Sequence, residues 1–101
     1  MSILLNRKIM NDIKNKWALV TGASRGVGLR ITKALAEKGC RVILHSRDLS
    51  HTEVLLNELN IAGHKVHAVA AELNSATGIE SLISQVNDIT DNQLDILYNN
   101  A

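Results

Sequence analysis

Three glycines, Gly22, Gly26 and Gly28, fall within seven residues of the stretch 19-LVTGASRGVGLR-30, and Arg25 stands among them. A backbone this bare suits the close approach of a ligand, because side chains at the turn would block it. The stretch lies between an apolar run and a helix-like pattern. A helix N-terminus presents unpartnered N–H groups and the positive end of the helix dipole, which together favour phosphate. In that setting Gly22 permits a tight exit from the preceding strand, Gly26 lets the backbone reach a pyrophosphate, and Gly28 allows the helix to pack against the sheet. A second cation, Arg47, ends the run 44-LHSR-47 after Ser46. Two guanidinium groups about one point suit a dianionic phosphate, since each can bond two of its oxygens.

The elements that must position these residues follow from periodicity. Trp17–Val20 is a short apolar run ending in Thr-Gly and reads as a strand. Over residues 26–39, Val27, Ile31, Ala34 and Leu35 recur at helical spacing, and Gly39 is placed to stop that helix. The β-branched run 41-RVILHS-46 predicts a second strand. Asp48 or Ser50 can cap a helix over 50–63 that Gly63 closes, and KVHAVA over 65–70 predicts a third strand. Asn74 or Ser75 can cap a helix over 76–90 with Ile79, Leu82, Ile83, Val86 and Ile89 on one face. Residues 94–98 predict a fourth strand. The order β-α-β-α-β-α-β demands crossover connections and so a doubly wound parallel sheet with helices on its faces, an α/β fold. Four strands make half of such a sheet.

Composition narrows the function classes. At 101 residues the chain is one domain at most, and with no Phe, one Trp and one Tyr its core is built from Val, Ile, Leu and Ala. Cys40 is the only cysteine; it reads as a buried structural thiol and fits a reducing compartment. No apolar run approaches the roughly 20 residues that span a bilayer, and residues 1–16 lack the apolar core of a signal peptide. A cytoplasmic location and no membrane partner are expected. Residues 1–15 read as an N-terminal extension, with Met10 an alternative start and 1–9 upstream of it. Residues 1–50 hold ten basic and three acidic side chains, whereas residues 51–101 hold Lys65 against seven acidic ones. The basic half admits a polyanion, but so few aromatics leave nothing to stack bases, and no nucleic-acid partner is expected. His64 and His67 would point to opposite faces of a strand, so no metal site is expected. His45 reads as strand packing or a rim residue, and His51 as solvated.

The segment ALVTGASRGVG resembles the cofactor loop of the short-chain dehydrogenase/reductase family, T-G-x-x-x-G-x-G after the first strand. The final Asn99-Asn100-Ala101 resembles that family's N-N-A-G motif at the end of the fourth strand. The resemblance runs from Lys16 to Ala101. It implies a Rossmann-type domain over 16–101, a nicotinamide dinucleotide, and hydride transfer to or from a carbonyl or alcohol carbon. It further implies that Thr21, Gly22, Ser24, Arg25, Gly26, Val27 and Gly28 line the cofactor. An NAD-type site needs an acid at the end of the second strand for the ribose 2′-hydroxyl. Ser46 stands there, followed by Arg47, with Arg25 in the glycine loop, as in NADP-preferring members. NADP(H) is expected; the alternative is NAD(H), with Asp48 reaching the ribose. Glu72 and Leu73 stand where the family has an Asp at the adenine amino group and an apolar residue flanking the ring. Asn99, Asn100 and Ala101 match positions beside the cofactor ribose and the central sheet.

The family's chemistry also uses a Ser, a Tyr and a Lys four residues after that Tyr, the Lys lowering the Tyr pKa. Tyr98 is the only tyrosine and Lys65 the last lysine, so no such pair exists here and no catalytic residue is assigned. The expectation is an NADP(H)-binding N-terminal half of an oxidoreductase, inactive alone. Substrate pocket and oligomer helices would belong to a longer parent. The alternatives are a stand-alone NADP(H)-binding or regulatory module, or an inert gene fragment.

Overall fold

Short β-branched runs alternate with helix-forming segments, and the computed structural model, which describes residues 13–100, shows them as alternating strands and helices. The strands are β1 (Trp17–Val20), β2 (Arg41–Ser46), β3 (Val66–Ala70) and β4 (Ile96–Tyr98). The helices are α1 (Gly26–Glu37), α2 (Glu53–Ile61) and α3 (Ala76–Thr90), with one 3-10 turn at Leu49–His51. All pairings are parallel, in the order β3-β2-β1-β4. The chain thus steps outward from β1 to β3 and returns to the far side of β1. Loops leaving the strand ends on either side of such a reversal diverge and open a crevice.

Alternation along the strands splits the core into two layers. Ala18, Val20, Val42 and Leu44 pack with Leu35 of α1 and with Leu55 and Leu59 of α2. Trp17, Leu19, Ile43 and Val69 pack on the other face with Leu82 and Val86 of α3. Cover on both faces is why β1 and the inner part of β2 are apolar at successive positions.

The buried faces of the helices only partly coincide with their apolar positions. In α1 the buried residues are Gly28, Thr32, Leu35 and Ala36, while Val27 is 53% exposed. Small side chains at 28, 32 and 36 let the helix approach closely, and Thr32 satisfies its hydroxyl on the Gly28 carbonyl at 2.9 Å. In α3, Leu82, Val86 and Thr90 face the sheet, and Ile79 and Ile83 lie beside it, exposed. The second helix begins later than expected, because the Asp48 carboxylate accepts from the Ser50 N–H at 2.9 Å and tightens 49–51 into a 3-10 turn. Strand β4 is shorter than 94–98. Asp95 takes the Trp17 N–H on its carboxylate at 2.9 Å and gives its own N–H to the Trp17 carbonyl, so the ladder starts only at Ile96. Gly39 and Gly63 end α1 and α2 at φ of 87° and 89°, as expected.

Ile13 is buried against this core, and its carbonyl accepts from the Cys40 thiol at 3.3 Å. Residues 1–12 and Ala101 lie outside the described residues, and with them Met10 as an alternative start. Burial first, and Asp95 second, push the Cys40 thiol up to about 11. Its thiolate is therefore scarce at neutral pH. Alkylation of Cys40 by iodoacetamide at pH 8 is expected to run on the order of a hundredfold slower than for free cysteine, and to reach the free rate in denaturant. The sign for stability follows. A thiol held protonated in the fold stabilises fully below its unfolded value of 9.0, and that contribution is lost as pH rises toward about 11.

Candidate functional site

The glycine stretch leaves β1 at Thr21, whose N–H donates to the Tyr98 carbonyl at 3.1 Å, and turns at Gly22 with φ 61°. The Gly22 and Ala23 amides then donate to His45, to ring Nδ1 at 3.2 Å and to the carbonyl at 2.9 Å. Helix α1 opens at Gly26, whose φ of 64° disfavours any side chain, and nothing lies within 4 Å of the place where a Cβ would stand. Arg25 precedes it in extended conformation without a side-chain cap bond, and no acid occupies the first turn. By contrast, α3 is capped by its own Ser75, which accepts from the Gly78 N–H at 3.0 Å. The first turn of α1 therefore keeps its donors and its dipole for a ligand.

Gly28 serves the loop more than the sheet. A Cβ there would overlap the Gly22 carbonyl oxygen and crowd Asn100 Nδ2. Asn100 in turn donates from Nδ2 to that carbonyl at 3.2 Å, and its N–H donates to Thr21 Oγ1 at 2.8 Å. Thr21 Oγ1 bonds Asn99 Oδ1 at 3.1 Å. The Asn pair after β4 thus ties that strand end to the start of the glycine loop.

Above this knot lies an open cleft of about 620 Å³. Of the residues named from sequence, Gly22, Ser24, Arg25, Ser46, Arg47 and Asn100 line it. His45 and His51 join them. Ser46 turns its hydroxyl to the Asp48 carbonyl at 2.6 Å. The Asp48 carboxylate, lowered by its bonds from Ser50, works as a cap and is not part of the cleft lining. Glu72, Leu73 and Asn99 line an adjoining cleft of about 490 Å³ that shares His45 and Arg47 with the first. Glu72 sits 3.6 Å from the Arg47 guanidinium, and its other oxygen accepts from the Asn74 N–H at 3.2 Å. Thr21 lies on the far side, on an apolar groove with Leu19 and Leu82. Gly26, Val27 and Gly28 line none of these three clefts, and Ala101 lies outside the described residues.

His45 is packed in β2 at the rim of both clefts, as read from sequence, but sequence reasoning missed its hydrogen bonds to the glycine loop. A signal existed: in an otherwise apolar run flanked by crossovers, a polar ring must find hydrogen-bond partners. It also missed Gly78, where a Cβ would overlap the Glu72 carbonyl, so that α3 starts directly against the 72–75 turn.

The profile of the short chain dehydrogenase family matches residues 16–101. The chain belongs to the short-chain dehydrogenase family. It is 35% identical over 92 residues to the ketoacyl reductase HetN of Nostoc sp., covering 91% of this chain and 32% of that protein. It is 36% identical over 93 residues to the oxidoreductase UcpA of Salmonella typhimurium, covering 91% of this chain and 34% of that one. The fold superposes on the Pseudomonas aeruginosa RhlG/NADP complex with a TM-score of 0.82 at 35% identity, over 91% of this chain and 36% of the other. A metagenomic short-chain oxidoreductase in complex with NADP gives a TM-score of 0.81 at 32% identity, over 88% of this chain and 40% of the other. This short-chain dehydrogenase chain therefore spans about a third of the length of the curated relatives it matches. Its four-stranded parallel sheet is the Rossmann-type architecture of those structures. Among the described residues, no helix is long and apolar enough to cross a membrane.

Proposed function

We propose that this chain is the NADP(H)-binding portion of an oxidoreductase that moves hydride between a nicotinamide and a carbonyl or alcohol carbon. The observation that carries the reading is the meeting of Arg25 and Arg47 on one cleft beside the glycine loop, with Ser46 in place of an acid. The open space at Gly26 and the uncapped first turn of α1 fit a pyrophosphate. The two guanidinium groups fit the 2′-phosphate, and Glu72 and Leu73 in the adjoining cleft fit the adenine end. Asn99 and Asn100 would stand beside the cofactor ribose. When bound, the nicotinamide supplies or accepts the hydride. The NADP in the Pseudomonas and metagenomic complexes supports the same choice. The alternative, NAD(H) held by Asp48, is disfavoured by the engagement of that carboxylate with Ser50.

Calorimetric titration of the chain with NADP+ and NAD+ tests the reading. Tighter binding of NADP+ is the expected result; equal affinities, or no binding of either, would overturn it. Glu72→Gln is expected to strengthen NADP+ relative to NAD+ by up to about fivefold, because it frees Arg47 from an exposed ion pair of the kind worth about 0–1 kcal/mol. The ratio of the two affinities is read in the same titration, since an adenine contact of Glu72 is common to both cofactors and cancels.

The hydride transfer itself belongs to a longer protein. Tyr98 is the sole tyrosine, it is buried in β4, and no lysine follows Lys65. No acid of the needed kind is thus presented to a carbonyl. The 101-residue chain alone is expected to leave NADPH absorbance unchanged against a panel of aldehydes and ketones; turnover by homogeneous protein would contradict this.

A further inference from the structure

His45 holds two successive amides of the glycine loop. Its carbonyl accepts from Ala23, and its ring Nδ1 accepts from Gly22 at 3.2 Å. The other ring nitrogen, Nε2, lies 2.9 Å from the Ala71 carbonyl just beyond β3. A carbonyl only accepts, so Nε2 must bear the hydrogen. An amide N–H only donates, so Nδ1 must be bare. One species meets both demands, the neutral imidazole protonated on Nε2. The residue is 2% exposed, so water does not replace either partner, and it lies between the two clefts assigned above to the phosphates and to the adenine.

We propose that His45 is a positioning residue for the cofactor phosphates, its ring pinning the Gly22 turn to the chain just beyond β3. The role in binding rests on the reading of the cleft as an NADP(H) site. A proton on Nδ1 would face the Gly22 N–H donor to donor, and the buried loss of that bond displaces the turn.

The experiment combines nitrogen NMR of the imidazole with calorimetry of NADP+ and NAD+. In the free chain the His45 resonances are expected to show Nε2–H with bare Nδ1. His45→Leu should quicken Gly22 amide exchange and weaken both cofactors about tenfold, the effect of losing one hydrogen bond of about 1.4 kcal/mol. In His45→Gln the side-chain amide offers an acceptor to Gly22 and a donor to Ala71, so it should restore both the Gly22 protection and the cofactor affinity. The opposite tautomer, or a His45→Gln that exchanges Gly22 and binds as His45→Leu does, would overturn the proposal. If neither cofactor binds the wild-type chain, the NADP(H) reading fails, while the tautomer and the Gly22 exchange still decide whether His45 pins the loop.

Discussion

Changing Arg25 and Arg47 together to alanine is expected to weaken NADP+ about a hundredfold and NAD+ by less than about threefold. A hydrogen bond to a charged group contributes about 1.5–3 kcal/mol, and each 1.4 kcal/mol is tenfold in affinity. One such bond lost per arginine therefore costs about tenfold or more for each change. Both side chains are exposed, and neither belongs to the buried core, so the substitutions leave the fold in place. The difference between cofactors is what matters. NAD+ shares the pyrophosphate and lacks the 2′-phosphate, so only a phosphate-specific role separates the two losses. Arg47→Asp should go further than Arg47→Ala, since a carboxylate repels the phosphate and offers the ribose an acceptor. Titration of each variant with both dinucleotides reads this directly. Equal losses would make the arginines general surface cations and would remove the basis for preferring NADP(H).

Gly28→Ala should have the opposite pattern, a loss of at least about tenfold for NADP+ and NAD+ alike, with a drop in melting temperature. The added methyl would overlap the Gly22 carbonyl oxygen and press on Asn100 Nδ2. The first of these is backbone, so the clash is not relieved by turning a side chain. Overpacking of this kind costs about 1–3 kcal/mol, and here it moves the turn on which Gly22 and Asn100 depend. Gly26→Ala is a useful companion. Its methyl meets open space, so whatever stability it loses comes from the positive φ, while any ligand seated on the first turn of α1 would be blocked. A folded Gly28→Ala that binds both cofactors normally would show that the 22–28 loop does not form the site.

Much of the fold was legible in the chain because its signals are local. β1 and β2 match their predicted spans, and Gly39 and Gly63 end the first two helices as read. Each depends on residues within one or two turns of itself: a β-branched run, a glycine at a helix end, a cap such as Ser75. The parallel order followed from alternation of strands and helices, and the glycine loop from its place between the first strand and the first helix. The convergence of Arg25 and Arg47 was also within reach, since β1 and β2 are paired and their ends share one edge of the sheet.

Other features needed the packed molecule. Which face of α1 is buried could not be read from its apolar spacing, because hydropathy marks apolar residues, whereas the sheet selected mostly small ones that permit close approach. The start of β4 depends on Asp95 reaching Trp17, 78 residues earlier in the chain. Arg47 and Glu72, assigned separate tasks from sequence, lie 3.6 Å apart and compete with any ligand for each other. His45 read as strand packing or a rim residue, and its hydrogen-bond partners, 23 and 26 residues away, emerge only in the fold. The types and local spacing of residues determined which elements form and which chemistry is available. The tertiary structure decided which groups share a proton or a charge, because hydrogen bonds and ion pairs act over a few ångströms and only folding sets distances between residues far apart in the chain.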